Sequence, residues 1–387
     1  RQSERKEIYK KYLQKLIDED KAYFAETRNS PEESNSTKPV PESDNTNNKV
    51  IRFKNPNKKV KFNDLIRGDI EFDTTELGDF VIAKSLEEPV YHLAVVVDDF
   101  EMGVTHILRG DDGISNTPRQ ILIQEAIGAP RPTYAHLPLM IDTDKTKLSK
   151  RKHGEKVSVS FYRKIGYSPE AIVNFLALIG WNPGTDQEIF SMQELIKLFD
   201  IKKVQKKSGV FNVEKLDWIN REYMLKESKE EQVKKFLEQV SKTKWSNNEK
   251  FSNPDFVEKF FAIIFDRIHR WGEVSEILDN GEFDYLFQKP TLKKELIFWK
   301  KSNCETTVEK LNKVINLLAN KTGSDEEEFC DELLSLAEQE GKGEVLWPVR
   351  YALSGQEKSP DPFTLIKILG IMESKERLGV AKEILLN

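Results

Sequence analysis

Tyr91-His92-Leu93-Ala94-Val95-Val96-Val97 is a nearly continuous apolar run, and two aspartates, Asp98 and Asp99, follow it directly. A continuous run of this length is typical of a strand that is buried on both faces of a parallel sheet. We therefore expect residues 91–97 to form a central strand of an α/β domain.

Two further segments on the C-terminal side extend this pattern. Residues 105–108 and 134–141 are predicted to be strands, and the segment between them is predicted to be a helix. Thr117 is its expected N-cap, Pro118 occupies the first helical position, and Gly128 lies just past the end. Strand, helix and strand in this order predict a βαβ unit of a parallel sheet.

Polar residues follow each predicted strand, and parallel sheets bind ligands outside the carboxyl ends of their strands. The loop after the last strand contains Lys147-Leu148-Ser149-Lys150-Arg151. We expect this loop to share one crevice with the polar residues at the other exits, which are Asp98, Arg109, Asp111 and Asp112. The loop region carries five cations, at Lys145, Lys147, Lys150, Arg151 and Lys152. Such a loop predicts a polyphosphate site, and a solvated surface loop is the alternative.

The composition of the 387-residue chain limits the classes of protein that fit. Lys and Arg number 60 against 65 Asp and Glu, with a net charge of -5, so overall charge does not indicate a nucleic-acid-binding protein. The two cysteines, Cys304 and Cys330, are far apart and lack a nearby histidine pattern, which argues against a zinc site and a disulfide framework. We find no signal peptide and no apolar run of membrane-spanning length.

The rest of the sequence changes character along its length. Residues 4–20 predict an amphipathic helix, whereas residues 27–49 have no apolar periodicity and predict a flexible loop. From about residue 226 onward only helical patterns remain. The predicted fold is therefore α/β followed by an all-α region.

The predicted crevice contains no Ser-His-Asp arrangement, no cluster of metal ligands and no glycine-rich phosphate loop. A reaction that requires only positioning and neutralisation of a polyphosphate suits it, such as attack of a carboxylate on an α-phosphate. This reaction needs neither an enzyme nucleophile nor a general base, because the attacking carboxylate is already ionised.

The loop at 147–151 resembles the KMSKS signature of class I aminoacyl-tRNA synthetases, in the form typical of glutamyl-tRNA synthetases. Further segments resemble the same family in the same order, at 1–5, 91–99, 116–120, 135–139, 180–181, 211–218 and 347–355. The resemblance covers essentially the whole chain except 27–49.

This resemblance implies a class I Rossmann-type catalytic domain, present in part, with an acceptor-stem-binding insertion. A helical stem-contact region and an all-helical anticodon-binding domain would follow. Residues 1–90 would hold the end of the first Rossmann half and the insertion, and residues 91–142 the second half. Residues 143–225 would hold the KMSKS loop and the stem-contact helices, and residues 226–387 the anticodon-binding domain.

The implied activity is ATP-dependent activation of L-glutamate to glutamyl-adenylate, and transfer of the glutamyl group to the 3′ end of tRNA(Glu). Lys150 and Lys147 are the implied catalytic residues, and Lys150 matches the signature lysine that stabilises charge on the phosphates in the transition state. The implied ATP-binding loop consists of Lys147, Leu148, Ser149, Lys150 and Arg151.

Tyr91 and Arg109 match positions that contact the substrate glutamate, where a guanidinium can bind the side-chain carboxylate. Two alternatives remain at these positions. Tyr91 would instead only cover the face of its strand, or Arg109 would pair with Asp111 or Asp112.

Arg267 and Arg350 are the candidates for contact with the tRNA anticodon. Arg267 is close in sequence to His269, Arg270 and Trp271, and this mixture of cations and an aromatic ring suits stacking and phosphate contact. An ordinary solvated helix face is the alternative.

The implied partners are tRNA(Glu), L-glutamate and ATP, with Mg²⁺ accompanying the ATP. No zinc is expected, because the cysteines that bind zinc in some relatives near 23–45 are absent here. We expect a monomer in the cytoplasm, without membrane contact.

The other class I signature, a HIGH-like motif, does not occur before residue 90. We therefore expect an N-terminally truncated fragment that does not aminoacylate by itself. The alternatives are a non-discriminating enzyme that also charges tRNA(Gln) and a non-catalytic tRNA-binding protein. A glutaminyl-tRNA synthetase fits less well, because its anticodon region is mainly a β-barrel.

Overall fold

The structure is a computed structural model that describes residues 1–26, 49–300, 302–319 and 326–387. The predicted flexible loop at 27–49 lies outside the described residues, except for Lys49 at its end. The described chain divides into two compact units: residues 1–157 with 173–213, and residues 158–172 with 214–387.

The strands are β1 (Ala22–Glu26), β2 (Lys49–Phe53), β3 (Lys59–Asp64), β4 (Gly68–Asp73), β5 (Phe80–Ser85), β6 (Glu88–Pro89), β7 (His106–Gly110), β8 (Thr133–Leu137), β9 (Met140–Ile141) and β10 (Gly209–Val210). The first eight helices are α1 (Lys6–Asp18), α2 (Tyr91–Glu101), α3 (Thr117–Ile127), α4 (Lys150–His153), α5 (Val159–Lys164), α6 (Pro169–Gly180), α7 (Met192–Leu198) and α8 (Val213–Lys226). The remaining helices are α9 (Lys229–Val240), α10 (Pro254–Phe265), α11 (Gly272–Asp279), α12 (Lys294–Ile297), α13 (Cys304–Ala319), α14 (Glu326–Glu340), α15 (Lys342–Ser354), α16 (Pro362–Leu369) and α17 (Ile371–Leu386).

The first unit contains two four-stranded sheets. One is antiparallel in the order β1-β2-β5-β6, and the other is mixed in the order β4-β3-β8-β7. In the mixed sheet β7 and β8 are parallel and α3 connects them, so the predicted βαβ unit is confirmed. Local signals explain α3, because Pro118 lies in its first turn and Gly128 ends it in the left-handed conformation.

The prediction of a strand at 91–97 is wrong, because these residues begin the helix Tyr91–Glu101. The apolar run is continuous, so it fits a buried strand and a buried helix equally well. Beyond the run, however, Phe100 continues the helical spacing that Leu93, Val96 and Val97 begin, and all four side chains pack into one core. The longer pattern therefore favours a helix.

The second unit is helical throughout its described residues, as predicted for the region after residue 226. Its core is rich in aromatic rings, and Phe260 is fully buried with the rings of Phe236, Phe256, Phe283 and Phe287 within 6 Å. Rings at such distances attract each other in addition to the burial of their apolar area. Within the described ranges, no helix has the length and apolar character needed to cross a membrane.

Candidate functional site

Three adjacent strands of the mixed sheet end at the same edge, since β3, β8 and β7 run parallel. Asp64 is the last residue of β3, His136 is near the end of β8, and Arg109 is near the end of β7. The register pairs His136 directly with Arg109. The carboxyl ends of parallel strands thus bring an acid, an imidazole and a guanidinium together, at the edge where parallel sheets bind ligands.

Asp64 and His136 form a fully buried pair, with Nδ1 of His136 2.6 Å from Oδ2 of Asp64. Burial opposes ionisation of Asp64, but hydrogen bonds from the backbone N–H of Arg67 and from His136 lower the pKa of its carboxyl overall. Burial lowers the pKa of His136, in spite of the nearby carboxylate. At neutral pH the pair is therefore an ionised Asp64 and a neutral His136 that donates from Nδ1.

Arg109 is held by the chain on two of its three nitrogens. Its Nε–H donates to Nε2 of His136 over 3.1 Å, and Nη2 donates to Oγ1 of Thr117 over 2.7 Å and to the carbonyl of Gly113 over 3.1 Å. No hydrogen bond within the described residues involves Nη1, which leaves this nitrogen for a ligand. Arg109 also forms no ion pair with Asp111 or Asp112 there, since Asp111 pairs with Arg67 and Asp112 with Lys147.

Tyr91 is the first residue of α2, and 55% of its side chain is exposed. The next residue, His92, has a buried Nδ1 without a hydrogen-bond partner in the structure. Burial, followed by the positive charges of Arg119 and Arg109, lowers the pKa of His92. The start of α2 therefore lies in the field of two arginines, which adds to the positive end of the helix dipole and favours an anion.

The loop after β9 turns back on itself. The N–H of Asp142 donates to the carbonyl of Thr146 over 2.8 Å, and the N–H of Leu148 donates to the carbonyl of Met140 over 3.2 Å. Lys145 at the tip has a φ of +65°, a left-handed conformation that non-glycine residues rarely adopt.

Ser149 ends this turn and begins a short helix, because it is the N-cap of α4 and its Oγ accepts from the N–H of Lys152 over 3.4 Å. These hydrogen bonds therefore determine the path of the main chain around Lys147 and Lys150, and with it the positions of their Cα atoms.

The cations of this loop fall into two groups. Lys147 pairs with Asp112 at 2.8 Å, and Lys152 pairs with Asp144 at 2.6 Å. The side chains of Lys145, Lys150 and Arg151 are exposed and have neither an ion pair nor a side-chain hydrogen bond among the described contacts. The loop therefore retains positive charge for an anion, while two of its lysines are neutralised by its own chain.

The structure brings together only part of the predicted crevice. Asp112 and Lys147 meet as expected, and Arg109 lies at the same strand end as Asp112. Asp98 does not follow a strand, because 91–101 is helical, and its carboxylate accepts hydrogen bonds from Arg5, just before α1, and from Tyr9 of α1. The expectation that Asp98 faces this crevice is therefore wrong.

The candidate anticodon residues lie in the second unit. Arg267 forms an ion pair with Glu282 and borders an open cavity of about 490 Å³. Arg350 donates to the carbonyl of Glu357 over 2.8 Å and lies over the ring of Trp347. Trp271 is only 6% exposed and packs in the core, so the suggestion that it stacks on RNA together with Arg267 is wrong.

Sequence reasoning did not identify Asp64, His136 or Thr117 as site residues. Asp64 lies 72 positions from His136, and only the pairing of β3 with β8 brings them together. A signal was present, since Asp64 ends an alternating segment, Val60-Lys61-Phe62-Asn63, that is typical of a strand. No group of three or more His, Cys, Asp or Glu side chains that could hold a metal ion occurs within the described residues.

Residues 29–218 match a family described as "tRNA synthetases class I (E and Q), catalytic domain", and residues 229–382 match a family described as "Anticodon binding domain". A glutamate–tRNA ligase from Carboxydothermus hydrogenoformans is 36% identical over 413 aligned residues, which cover 98% of this chain and 82% of the relative. Glutamate–tRNA ligase 1 from Petrotoga mobilis is 37% identical, over 99% of this chain and 80% of the relative.

Solved structures agree with these similarities. A crystal structure of a glutamate tRNA ligase from Elizabethkingia meningosepticum, described as in complex with its amino acid, superposes with a TM-score of 0.78 at 28% identity. The match covers 99% of this chain and 83% of that one. A class I catalytic domain with a mixed sheet is thus followed by an all-helical anticodon domain, and the chain belongs to the glutamate–tRNA ligase family of class I aminoacyl-tRNA synthetases.

Proposed function

We propose that this protein attaches L-glutamate to tRNA(Glu) at the expense of ATP. The observation that carries the proposal is the loop after β9, where Lys147 pairs with Asp112 of the turn after β7, while Lys150 and Arg151 are exposed and have no ion pair among the described residues. Exposed cations that have no ion pair with any described residue, in a chain of net negative charge, create a local site for a polyphosphate. Arg109 adds a fixed cation for a carboxylate at the same edge of the sheet.

In the first step, an oxygen of the α-carboxylate of glutamate attacks the α-phosphorus of ATP. A new bond forms between that oxygen and phosphorus, the bond from phosphorus to the bridging oxygen of the β-phosphate breaks, and pyrophosphate leaves with the electron pair. Lys150 stabilises the negative charge that grows on the phosphate oxygens, and Arg151 adds to this field. Mg²⁺ arrives with ATP as part of the substrate. Because no proton moves in this step, positioning and charge neutralisation supply the catalysis.

In the second step, a hydroxyl of the terminal adenosine of tRNA attacks the carbonyl carbon of glutamyl-adenylate. The ester bond to tRNA forms, the mixed-anhydride bond breaks, and AMP leaves with the electron pair of that bond while its phosphate takes up the proton of the hydroxyl. We propose that Nη1 of Arg109 and the hydroxyl of Tyr91 hold the glutamate side-chain carboxylate through both steps. Both groups lack an intramolecular hydrogen bond within the described residues.

We propose that residues 229–382 bind the anticodon arm and that Arg267 and Arg350 contact its phosphates. Arg267 borders an open cavity, and each phosphate contact that is lost reduces the salt dependence of binding by about one counterion. Arg267→Ala should therefore lower the slope of log K against log salt by about 1 for tRNA(Glu). Met372→Ala, at an exposed apolar position of α17, is the control, and an unchanged slope in Arg267→Ala would exclude the contact.

The test of the overall proposal is a charging assay with radiolabelled glutamate, ATP and purified tRNA(Glu). It uses the 387-residue chain and also the same chain joined to an N-terminal segment that carries a HIGH-like motif, which we call the extended protein. The extended protein should form glutamyl-tRNA only when ATP, glutamate and tRNA are all present. Binding of tRNA without charging by the extended protein would instead favour a non-catalytic tRNA-binding protein.

The same assay with tRNA(Gln) decides the range of tRNA substrates. A discriminating enzyme charges tRNA(Glu) at least tenfold faster than tRNA(Gln), whereas comparable rates would establish a non-discriminating enzyme. The description of the matched family names the enzymes for both glutamate (E) and glutamine (Q). The assay with tRNA(Gln) therefore belongs with the assay with tRNA(Glu).

A further inference from the structure

The orientation of Arg109 depends on a chain of contacts that begins two strands away. Asp64 accepts hydrogen bonds from the backbone N–H groups of Ile66, Arg67 and His136, and its Oδ2 also meets Nδ1 of His136. Four donors converge on one carboxylate that is 1% exposed. Asp64 is therefore fixed on β3 independently of any ligand.

The Asp64 carboxylate in turn determines which nitrogen of His136 carries the proton. Nδ1 must donate to the carboxylate, so Nε2 of the neutral ring keeps its lone pair and can only accept. The Nε2 atom lies 3.1 Å from Nε of Arg109, and Oγ1 of Thr117 lies 3.2 Å from the same Nε2. The ring also stacks on Tyr134, with an interplanar angle of 11°, so it has little freedom to turn.

The consequence for Arg109 is geometric. A guanidinium is planar, so fixing Nε and Nη2 fixes the direction of Nη1 as well. Arginine with a free side chain would lose rotamer entropy when it binds a carboxylate, whereas a side chain held in advance loses less. The three hydrogen bonds of Arg109 with the chain involve only Nε and Nη2, and Nη1 forms none within the described residues.

We infer that Asp64 and His136 are positioning residues for glutamate recognition, which set the orientation of Arg109 through the neutral Nδ1–H form of His136. This inference rests on the proposed function, because it assigns Arg109 to the glutamate carboxylate. His136 does not touch the substrate and transfers no proton in the reaction. Its effect is confined to the affinity for glutamate.

The test compares three variants of the extended protein. His136→Leu removes the acceptor for Nε of Arg109, and His136→Gln keeps an acceptor, because its side-chain oxygen can take the place of Nε2. His106→Leu is the matched control, since His106 is an exposed histidine on the same strand as Arg109. The KM for glutamate, the KM for ATP and kcat are measured for each, together with thermal unfolding.

The expected result for His136→Leu is a KM for glutamate at least tenfold higher, with kcat and the KM for ATP within threefold of the unaltered protein. His136→Gln and His106→Leu should both keep the KM for glutamate within threefold. A KM for glutamate that is unchanged in His136→Leu would overturn the inference, and so would equal increases in His136→Leu and His136→Gln.

A second measurement does not depend on variants or on catalysis. Nitrogen-15 shifts of the imidazoles in the unaltered 387-residue chain report the tautomer of His136 directly. A protonated Nδ1 and an unprotonated Nε2 at pH 7.5 support the inference, and the opposite tautomer or a doubly protonated ring overturns it. If the unaltered extended protein attaches no glutamate to tRNA, the proposed function fails while this measurement still tests the contact between His136 and Arg109.

Discussion

Lys147 Nζ lies 2.8 Å from Oδ2 of Asp112, so an ion pair connects the loop after β9 with the turn after β7. Both side chains are more than half exposed. The pairing with Lys147 lowers the pKa of the Asp112 carboxyl. Exposed pairs of this kind contribute little to stability because water and salt screen them, about 0–1 kcal/mol.

Replacement of Asp112 by asparagine should therefore leave the free energy of unfolding within about 1 kcal/mol of the unaltered value. Urea unfolding followed by circular dichroism measures this change. Asp144→Asn, which breaks the equally exposed pair with Lys152, is the comparison and should behave alike. A loss larger than about 2 kcal/mol in Asp112→Asn alone would mean that the pair supports the fold rather than only orienting Lys147.

Arg109→Lys should raise the KM for glutamate at least tenfold in the extended protein. A lysine retains the charge but loses the planar fork that contacts His136, Thr117 and Gly113 at once. The KM for ATP should change less than threefold, because the ATP contacts are assigned to the other loop. Equal increases in both constants would indicate a general loss of structure instead of a lost substrate contact.

Local signals in the sequence predicted part of this architecture. The helix α3 was predictable because Pro118 and Gly128 mark its ends, and the cationic loop was predictable from five basic residues after an apolar strand. The helix at 91–101 was missed, since the apolar run at 91–97 by itself contains no periodicity that separates helix from strand, and only the spacing that Phe100 continues favours a helix. The pair of Asp64 and His136 could not be predicted either, because strand pairing between segments about 70 residues apart creates it.

The loss of folding stability as the pH falls below neutral should depend on His136. Burial lowers the pKa of this imidazole below its usual value of about 6.5, so below that pH the unfolded state binds more protons than the folded state. Stability from this group is therefore present above about pH 6.5 and is lost as the pH falls. Asp64, whose pKa is also lowered, adds a loss only below about pH 4.

Urea unfolding at pH 7.5 and pH 5.5 tests this expectation. The unaltered chain should lose stability between the two values, and His136→Gln should lose less. His106→Gln serves as the comparison, because it removes an exposed imidazole from the same unit. If His136→Gln loses as much stability between the two pH values as the unaltered chain, the assignment of a lowered pKa to His136 is contradicted.

Phe260→Ala should destabilise the helical unit by about 3–5 kcal/mol, because a fully buried ring is replaced by a cavity. Five other phenylalanine rings lie with their centroids within 6.2 Å of this ring, which limits how far the site can collapse. Met372→Ala, at a side chain that is 81% exposed, should change the stability by less than about 0.5 kcal/mol. Similar effects of the two substitutions on urea unfolding would show that Phe260 does not lie in the core.

The most direct test of the account compares charging of tRNA(Glu) by the extended protein with and without Lys150. Lys150 is exposed and unpaired in the loop, so Lys150→Ala removes a phosphate contact without breaking an ion pair of the described structure. Lys145→Ala is the matched control at the tip of the same loop.

We predict that Lys150→Ala lowers kcat about 10²–10³-fold, as expected for loss of a contact made in the transition state, while Lys145→Ala stays within threefold. A loss of less than about tenfold in Lys150→Ala would contradict the claim that this loop binds the phosphates of ATP during activation.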